Sequence, residues 1–383
     1  MSRPLRVVRE GAGVLDELRS ALSGGDAILV APATRHPEGL PARVEKPIAL
    51  VVETSGSTGR PKRVALGADA LLASAAASES ALGGPGQWML ALPTHYIAGL
   101  NVLVRSIAAG AAPVTLPGDR VAPETFVAAC DDFAPRVARF VALVPRQLDA
   151  LLGDPSARDE LARFAAVLLG GQAAPAALLE RAEDAGVRVV RSYGSSETAG
   201  GCVYDGLPIG QTAVRLTARG EVELGGPSLA EGYLGDPGLI AARFSEDADG
   251  RWFRTADAGV WREGPDGARL TVTGRLDDVL VSGGLKVATG AIEELLHARS
   301  GWEHAVVVAV DDARWGQVPV VVVEGSAPDE AGAIAAVAEV LGVQARPAQV
   351  IRVGELPRLA SGKPDRAAIA ALAREVGGTV DDG

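Results

Sequence analysis

The segment TSGSTGRPK (54–62) packs four hydroxyls and two glycines into its first six residues: Thr54, Ser55, Gly56, Ser57, Thr58 and Gly59. It directly follows the apolar run IALVVET, which reads as a buried strand. Glycine lets the backbone curl so that successive N–H groups point at one anion, and the hydroxyls add donors. Lys62 supplies a point charge. Pro61 stands between Gly59 and Lys62, so the spacing is not that of a Walker-A loop. A polar surface loop with a turn-forming proline is the plainer reading of the same residues. The density of donors after an apolar run favours a phosphate site.

Four further segments carry chemistry-bearing residues in order: YGSSE (193–197), FRTAD (253–257), TGRLDD (273–278) and PRLASGKPDR (357–366). Tyr193 offers a flat ring, or a core aromatic. Glu197 is a hard oxygen donor suited to Mg²⁺. Asp257 is either a hydroxyl acceptor or a turn cap, and Arg275 either a donor or a solvated surface group. Of 37 basic residues only four are lysines: Lys46, Lys62, Lys286 and Lys363. A chain this rich in arginine is expected to keep lysine where a compact, mobile ammonium matters. Three of the four fall in or beside these segments.

Together with the 54–62 loop, these segments resemble the signatures of the adenylate-forming superfamily of acyl-CoA synthetases, adenylation domains and luciferases. The resemblance implies an adenylate-forming enzyme fold, with a large N-terminal α/β domain, a β subdomain and a small mobile C-terminal α+β domain. It also implies ATP, Mg²⁺ and coenzyme A as cosubstrates. Thr54–Gly59 and Lys62 would hold phosphates. Tyr193 would stack on adenine, with Gly194 beside it and the backbone of Gly171 and Gln172 close to the base. Ser196 would donate to the α-phosphate, Glu197 would hold the metal, and Asp257 and Arg275 would hold the ribose. Lys363 would offset the repulsion between an incoming carboxylate and the α-phosphate, a term whose removal costs roughly 10²–10³-fold in rate. An exposed lysine before a helix is its plainer alternative. Asp277 aligns with the family's hinge, and VLVSGGLKVATGAIEEL (279–295) resembles the segment that meets CoA, with Gly283 and Gly284 admitting pantetheine and Lys286 nearby. Ala256 stands where the family has glycine, and Gly290-Ala291 departs from the family's Pro-containing pattern.

Three stretches narrow the likeness: ALPTHYIAGLNVLVRS (91–106), FVALVPRQLDALL (140–152) and SYGSSETAGGCVYDG (192–206). They resemble the o-succinylbenzoate–CoA ligase branch of menaquinone biosynthesis, particularly its short forms. Such a substrate carries two carboxylates, one to react and one to be held by donors. His95 is expected to gate the acyl or pantetheine channel, or else to cap or pack a helix. Arg105 is expected either to meet the acid or to lie on a helix surface. Gly200 and Gly201 are expected to shape the pocket behind Glu197. A ligase for another acid, an enzyme loading a carrier protein and a non-catalytic relative are the alternatives. Intact Lys363 and Glu197 weigh against the last.

These residues need a scaffold, and the hydrophobic pattern supplies one. Between 48 and 195 the apolar runs IALVVET, QWMLALP, APVTL, RFVALVP, FAAVLLGG and VRVVRSYG alternate with helical stretches, predicting a parallel sheet covered by helices. Ligands in such folds sit beyond the carboxyl ends of the strands. From 209 to 272 the texture is Gly-rich strand and turn. After it come a helix near 289–298, strands in HAVVVAV and VPVVVVEG, a helix over 328–341 and a terminal helix after Pro364. A domain boundary is placed at Asp277, giving 1–276 and 277–383.

The 383 residues suit two or more domains. A net charge of −11 argues against a nucleic-acid surface. Cys130 and Cys202 are too few for a disulfide framework, and no Cys/His spacing points to zinc. No signal peptide and no apolar run of about 20 residues is present. The expectation is a cytoplasmic enzyme acting on small molecules without nucleic acid or membrane, as monomer or homodimer.

Overall fold

A computed structural model of the chain describes residues 1–54, 61–116, 121–264, 267–276, 278–359 and 363–377. The chain divides into two units. Unit 1 comprises Met1–Arg215, Glu223–Thr255 and Gly264–Arg269; unit 2 comprises Leu216–Val222, Ala256–Glu263 and Leu270–Gly383. The chain crosses between them within the Gly-rich stretch. The continuous part of unit 2 starts ahead of Asp277, which itself lies outside the described residues.

In unit 1 the strands of residues 48–195 fall in two sheets, where the alternating pattern predicts a parallel sheet. The first runs in the order Gly232–Tyr233, Lys62–Gly67, Ile48–Thr54, Ala27–Ala31, Ser2–Arg9, Arg43–Glu45. Strands Ser2–Arg9, Ala27–Ala31 and Ile48–Thr54 are parallel, but Ile48–Thr54 turns back on Lys62–Gly67 as an antiparallel hairpin. The reason is chain length: the few residues after Thr54 cannot carry the helical crossover that a parallel neighbour requires. The second sheet meets the expectation better. Strands Val189–Ser195, Ala166–Leu169, Arg139–Leu143, Gln87–Leu90 and Val114–Thr115 are neighbours in that order and all parallel. Gly200–Tyr204 and Leu207–Pro208 add antiparallel strands at one edge.

Two helices, Ala68–Leu82 and Ile97–Ala108, lie between these sheets. Residues 99–106 of the second are all buried, as expected of a helix with apolar neighbours on every side. Its Leu100, Leu103 and Val104 pack with Leu50, Val52, Val64 and Leu66 of the first sheet. Val102 packs with Trp88, Phe140, Leu168 and Tyr204 of the second. The Ala/Ser composition of Ala68–Leu82 leaves thin side chains at Ala70, Ser74, Ala75 and Ser78, all buried.

In unit 2 the strands Leu285–Ala288, Val279–Ser282, Gly316–Glu324 and Val306–Asp312 pair in that order, and Gln349–Val353 joins Gly316–Glu324 in parallel. The valine runs are buried on both faces. Val307, Val321 and Val323 meet Ile292, Leu296, Ala333 and Val337 of helices Thr289–His297 and Glu330–Leu341. Val306, Val308, Val320 and Val322 meet Ile369 and Ala373 of helix Arg366–Gly377. Period-two alternation in HAVVVAV and VPVVVVEG therefore feeds two apolar layers.

Both cysteines are buried and free. Burial pushes each thiol up to about 12, so neither forms the nucleophilic thiolate near neutral pH. We expect the native protein to take up no iodoacetamide at pH 8 and the denatured chain to take up two equivalents, read by intact mass. A native adduct at Cys202 would overturn this packing.

Candidate active site

The parallel strands of the second sheet place three predicted segments at one edge. Leu169 leads into Gly170–Gln172, Ser195 leads into Glu197, and Leu90 leads into the loop carrying His95. Strands Val189–Ser195 and Ala166–Leu169 are adjacent and parallel, with Arg191 opposite Leu169, so Tyr193 and the Gly170–Gln172 segment both follow that paired position. Tyr193 is half-buried and Gly171 adopts φ +89°. In the first sheet Thr54 faces Lys62 directly across the hairpin. Both ends of the 54–62 segment are thereby held together, and Arg63 donates to the half-buried Glu53 at 3.0 Å on the opposite face. Ser55, Gly56, Ser57, Thr58 and Gly59 lie outside the described residues.

Glu197 sits in a single 3₁₀ turn, Ser196–Thr198, whose backbone is held from several sides. Thr198 Oγ1 accepts from Ser195 N at 2.9 Å and donates to Gly200 O at 2.7 Å. Ala199 closes the turn in the left-handed region, φ +50°. That conformation costs a non-glycine residue about 1–2 kcal/mol. Its carbonyl accepts from Ser74 Oγ at 3.0 Å and Asn101 Nδ2 at 2.8 Å. The Glu197 carbonyl accepts from Ala230 N at 2.8 Å. Its carboxylate accepts from the Tyr233 hydroxyl at 2.8 Å. Burial first, and then the neighbouring carboxylate, push the Tyr233 phenol well above its ordinary value, so it remains a donor. Tyr233 belongs to the first sheet, where it pairs with Val64. This hydrogen bond therefore ties the carboxyl edge of one sheet to the other.

The glycines beside Glu197 serve the backbone. A Cβ at Gly194 would lie 2.2 Å from Gly200 O, and one at Gly201 would lie 1.9 Å from Ser192 Oγ. At Gly200, φ is +98° and a Cβ would meet Asn101 Nδ2 at 2.0 Å. They let strands Val189–Ser195 and Gly200–Tyr204 close around the Glu197 turn, with a register shift between Tyr193 and Gly194.

Arg105 requires a correction. It lies on the inter-sheet helix, about 12 Å along the axis from Ile97, and is buried rather than surface-exposed. Its guanidinium packs 4.7 Å from the centroid of the Trp88 ring and donates to the Tyr204 hydroxyl at 3.4 Å. Asn101 and Arg105, at i,i+4, face the 199–204 segment, and so do Ser74 and Ser78, the latter 2.8 Å from Tyr204 Oη. Arg105 thus packs within the scaffold, and the helix-surface alternative is not retained.

His95 has a partner the sequence reading missed. Its Nδ1 is 2.8 Å from Glu10 Oε2, and Thr94 N donates to Glu10 Oε1 at 2.7 Å. Burial alone would raise the Glu10 carboxyl, but the His95 and Thr94 bonds outweigh it and hold the group below its ordinary value.

In unit 2, Arg275 Nη1 donates to Asp257 Oδ1 at 3.1 Å, so the two residues expected to share a ribose stand together. Ala256 adopts φ +64°, which explains glycine as the commoner choice there. Gly283 and Gly284, φ +56° and +81°, form the two-residue turn of the 279–288 hairpin. Lys286 is exposed on its second strand. Lys363 is exposed, its carbonyl accepts from Leu359 N at 2.8 Å, and Arg358 bridges Pro364. Arg366 follows, donating to both oxygens of Glu293 at 2.8 and 2.7 Å. Glu293 lies on the helix whose first residue, Thr289, bonds Asp278 O. Lys363 is thereby linked to the stretch after Asp277.

Signals for the missed residues exist in the sequence. Asn101 and Arg105 interrupt an otherwise apolar helix at helical spacing, and a buried polar group needs a partner. Glu10 directly follows the first strand. Nothing local points to Tyr233.

Among the described residues no helix is long and apolar enough to cross a membrane. Residues 14–234 match the family model for AMP-binding enzymes, and residues 291–363 match that for the AMP-binding enzyme C-terminal domain. The chain is 41% identical over 380 residues to a probable 2-succinylbenzoate–CoA ligase of Mycobacterium tuberculosis, covering 96% of each chain. Among solved structures it resembles an Escherichia coli MenE variant with bound OSB-AMS, at TM-score 0.75 and 25% identity over 98% of this chain and 88% of that one. The amide bond synthetase McbA of Marinactinospora thermotolerans superposes with TM-score 0.74 at 26% identity, covering 97% of this chain and 80% of that one. Matched over more than half its length and to a full-length relative, this chain belongs to the family of AMP-binding enzymes.

Proposed function

We propose that the chain is an AMP-forming ligase that joins o-succinylbenzoate to coenzyme A, a step of menaquinone biosynthesis. The observation that carries this reading is the 41% identity to the mycobacterial 2-succinylbenzoate–CoA ligase across 96% of both chains. The geometry supports the chemistry. Thr54 and Lys62 pair at the two ends of the donor-rich segment, and the Glu197 carboxylate is fixed at the strand edge of the same unit.

In the first half-reaction the acid's carboxylate oxygen attacks the α-phosphorus of ATP, and the bond to pyrophosphate breaks. In the second, the CoA thiol attacks the acyl carbonyl, its proton is lost, and AMP leaves. The residues present fit Mg²⁺ through Glu197 alone. Tyr233 orients that carboxylate, no cluster of three or more metal-ligating side chains occurs among the described residues, and Mg²⁺ commonly takes one or two carboxylates plus substrate phosphates. Such an ion would neutralise charge on the triphosphate. In this reading Thr54, Lys62 and the residues between them hold the phosphates, with Ser196 at the α-phosphate. Tyr193, Gly194, Gly171 and Gln172 hold the base, and Asp257 and Arg275 the ribose. His95, Gly200 and Gly201 stand beside the acyl group. Lys363 offsets the charge that builds during attack. Asp277 is the hinge, and Gly283, Gly284 and Lys286 form the CoA-side face. The reading includes a domain division at 276/277 and a cytoplasmic monomer or homodimer.

The test is thioester formation with ATP and Mg²⁺ from o-succinylbenzoate beside benzoate, 4-hydroxybenzoate, a medium-chain fatty acid and acetate. A primary amine is offered in parallel as acceptor. We expect o-succinylbenzoate and CoA to be preferred by at least two orders of magnitude, the scale by which a site built for polar groups rejects analogues lacking them. Turnover of a different acid would discard the substrate, and amide formation would discard the acceptor.

Lys363→Ala is expected to slow ATP–pyrophosphate exchange by roughly 10²–10³-fold. The same variant should convert pre-made acyl-adenylate to thioester at close to the unaltered rate. Equal loss of both halves would make Lys363 structural.

A further inference from the structure

We propose that Glu10 is a positioning residue for His95, fixing its imidazole as the Nδ1–H tautomer and so presenting Nε2 as an acceptor. The inference rests on the reading above, in which His95 stands beside the acyl group.

Glu10 directly follows strand Ser2–Arg9 and continues its pairing, donating from its N–H to Ala31 O at 2.9 Å. That strand is parallel to Ala27–Ala31 and, through it, to Ile48–Thr54, so Glu10 stands at the same edge of the first sheet as Thr54. His95 follows strand Gln87–Leu90 at the carboxyl edge of the second sheet. The Glu10 carboxylate spans the two sheets. Oε1 takes the Thr94 amide at 2.7 Å, with Thr94 Oγ1 at 3.4 Å, and Oε2 takes His95 Nδ1 at 2.8 Å. The ring is only 12% exposed and lies against Tyr96, centroids 4.1 Å apart, which limits its rotation.

An ionised carboxylate only accepts, so a neutral His95 must carry its proton on Nδ1. Loop support and tautomer control are separable by chemistry. In Glu10→Gln the amide oxygen still accepts from Thr94 N, so the loop stays tied. Its NH₂ now donates toward Nδ1, which drives the ring proton to Nε2. Glu10→Asp remains an acceptor and retains the native tautomer.

The experiment uses the full chain labelled with ¹⁵N-histidine. Ring nitrogens of His95 are assigned by loss of signal in His95→Asn. Pyrophosphate exchange and thioester formation from pre-made adenylate are measured on the same samples. The expected result is Nδ1–H in the unaltered protein and in Glu10→Asp, and Nε2–H in Glu10→Gln. With Tm unchanged, overall kcat/KM in Glu10→Gln should fall roughly tenfold or more, the scale on which loss of an orienting partner to a functional histidine acts. An Nε2–H ring in the unaltered protein would overturn the proposal without recourse to any variant. So would an inverted tautomer with unchanged kinetics, or slowed kinetics in Glu10→Gln with the tautomer unaltered. If the unaltered protein makes no thioester from o-succinylbenzoate, the substrate reading fails, while the ring nitrogens still decide the role of Glu10.

Discussion

The buried carbonyl of Ala199 is where this unit's architecture converges. A carbonyl taken from water without a partner is destabilising by roughly 1–3 kcal/mol, and Ala199 is fully buried in a backbone conformation that disfavours its own side chain. Two hydrogen bonds, from Ser74 and Asn101, meet that demand. Each donor sits on one of the two helices between the sheets. The turn presenting Glu197 is therefore formed only once both helices are packed. Strain at such a position persists because its surroundings over-determine it.

The same two helices explain why so many polar side chains are buried in an apolar layer. Ser74 and Ser78 on one, and Asn101 and Arg105 on the other, are spaced one turn apart and converge on the strand after Glu197. Together they hold segment 199–204, which in turn fixes the Glu197 turn through Thr198. Two further bonds join the sheets at their carboxyl edges, Tyr233 to Glu197 and Glu10 to His95. Rigid placement of a carboxylate and an imidazole follows from this double tie, which suits a site that must hold charge in place during reaction.

Unit 2 uses a different device for Lys363. A seven-residue span from Arg358 to Pro364 is closed by a backbone bridge, and Arg366 anchors it to Glu293 through a two-pronged ion pair. Lysine needs reach and a compact charge, so the backbone is held and the side chain is left exposed. The charge pair Asp257–Arg275 belongs to the same unit.

The sequence alone determined the local elements and the reaction class. Period-two and unbroken apolar runs located strands at 48–54, 87–90, 139–143, 166–169 and 189–195, because short apolar runs between turn residues suit buried strands. Donor-rich and carboxylate-bearing segments pointed to a phosphate site, and their resemblance to the adenylate-forming superfamily implied the nucleotide chemistry. Tertiary structure decided what depends on partners far apart in the chain. It split one expected sheet into two, because a short hairpin cannot cross over. It buried Arg105 in the scaffold instead of leaving it on a helix surface, because an apolar helix between two sheets leaves its polar groups only buried neighbours. And it gave Glu197 and His95 their partners, Tyr233 and Glu10, which no spacing pattern reveals, because a hydrogen bond between residues 36 or 85 positions apart is set by how sheets stack.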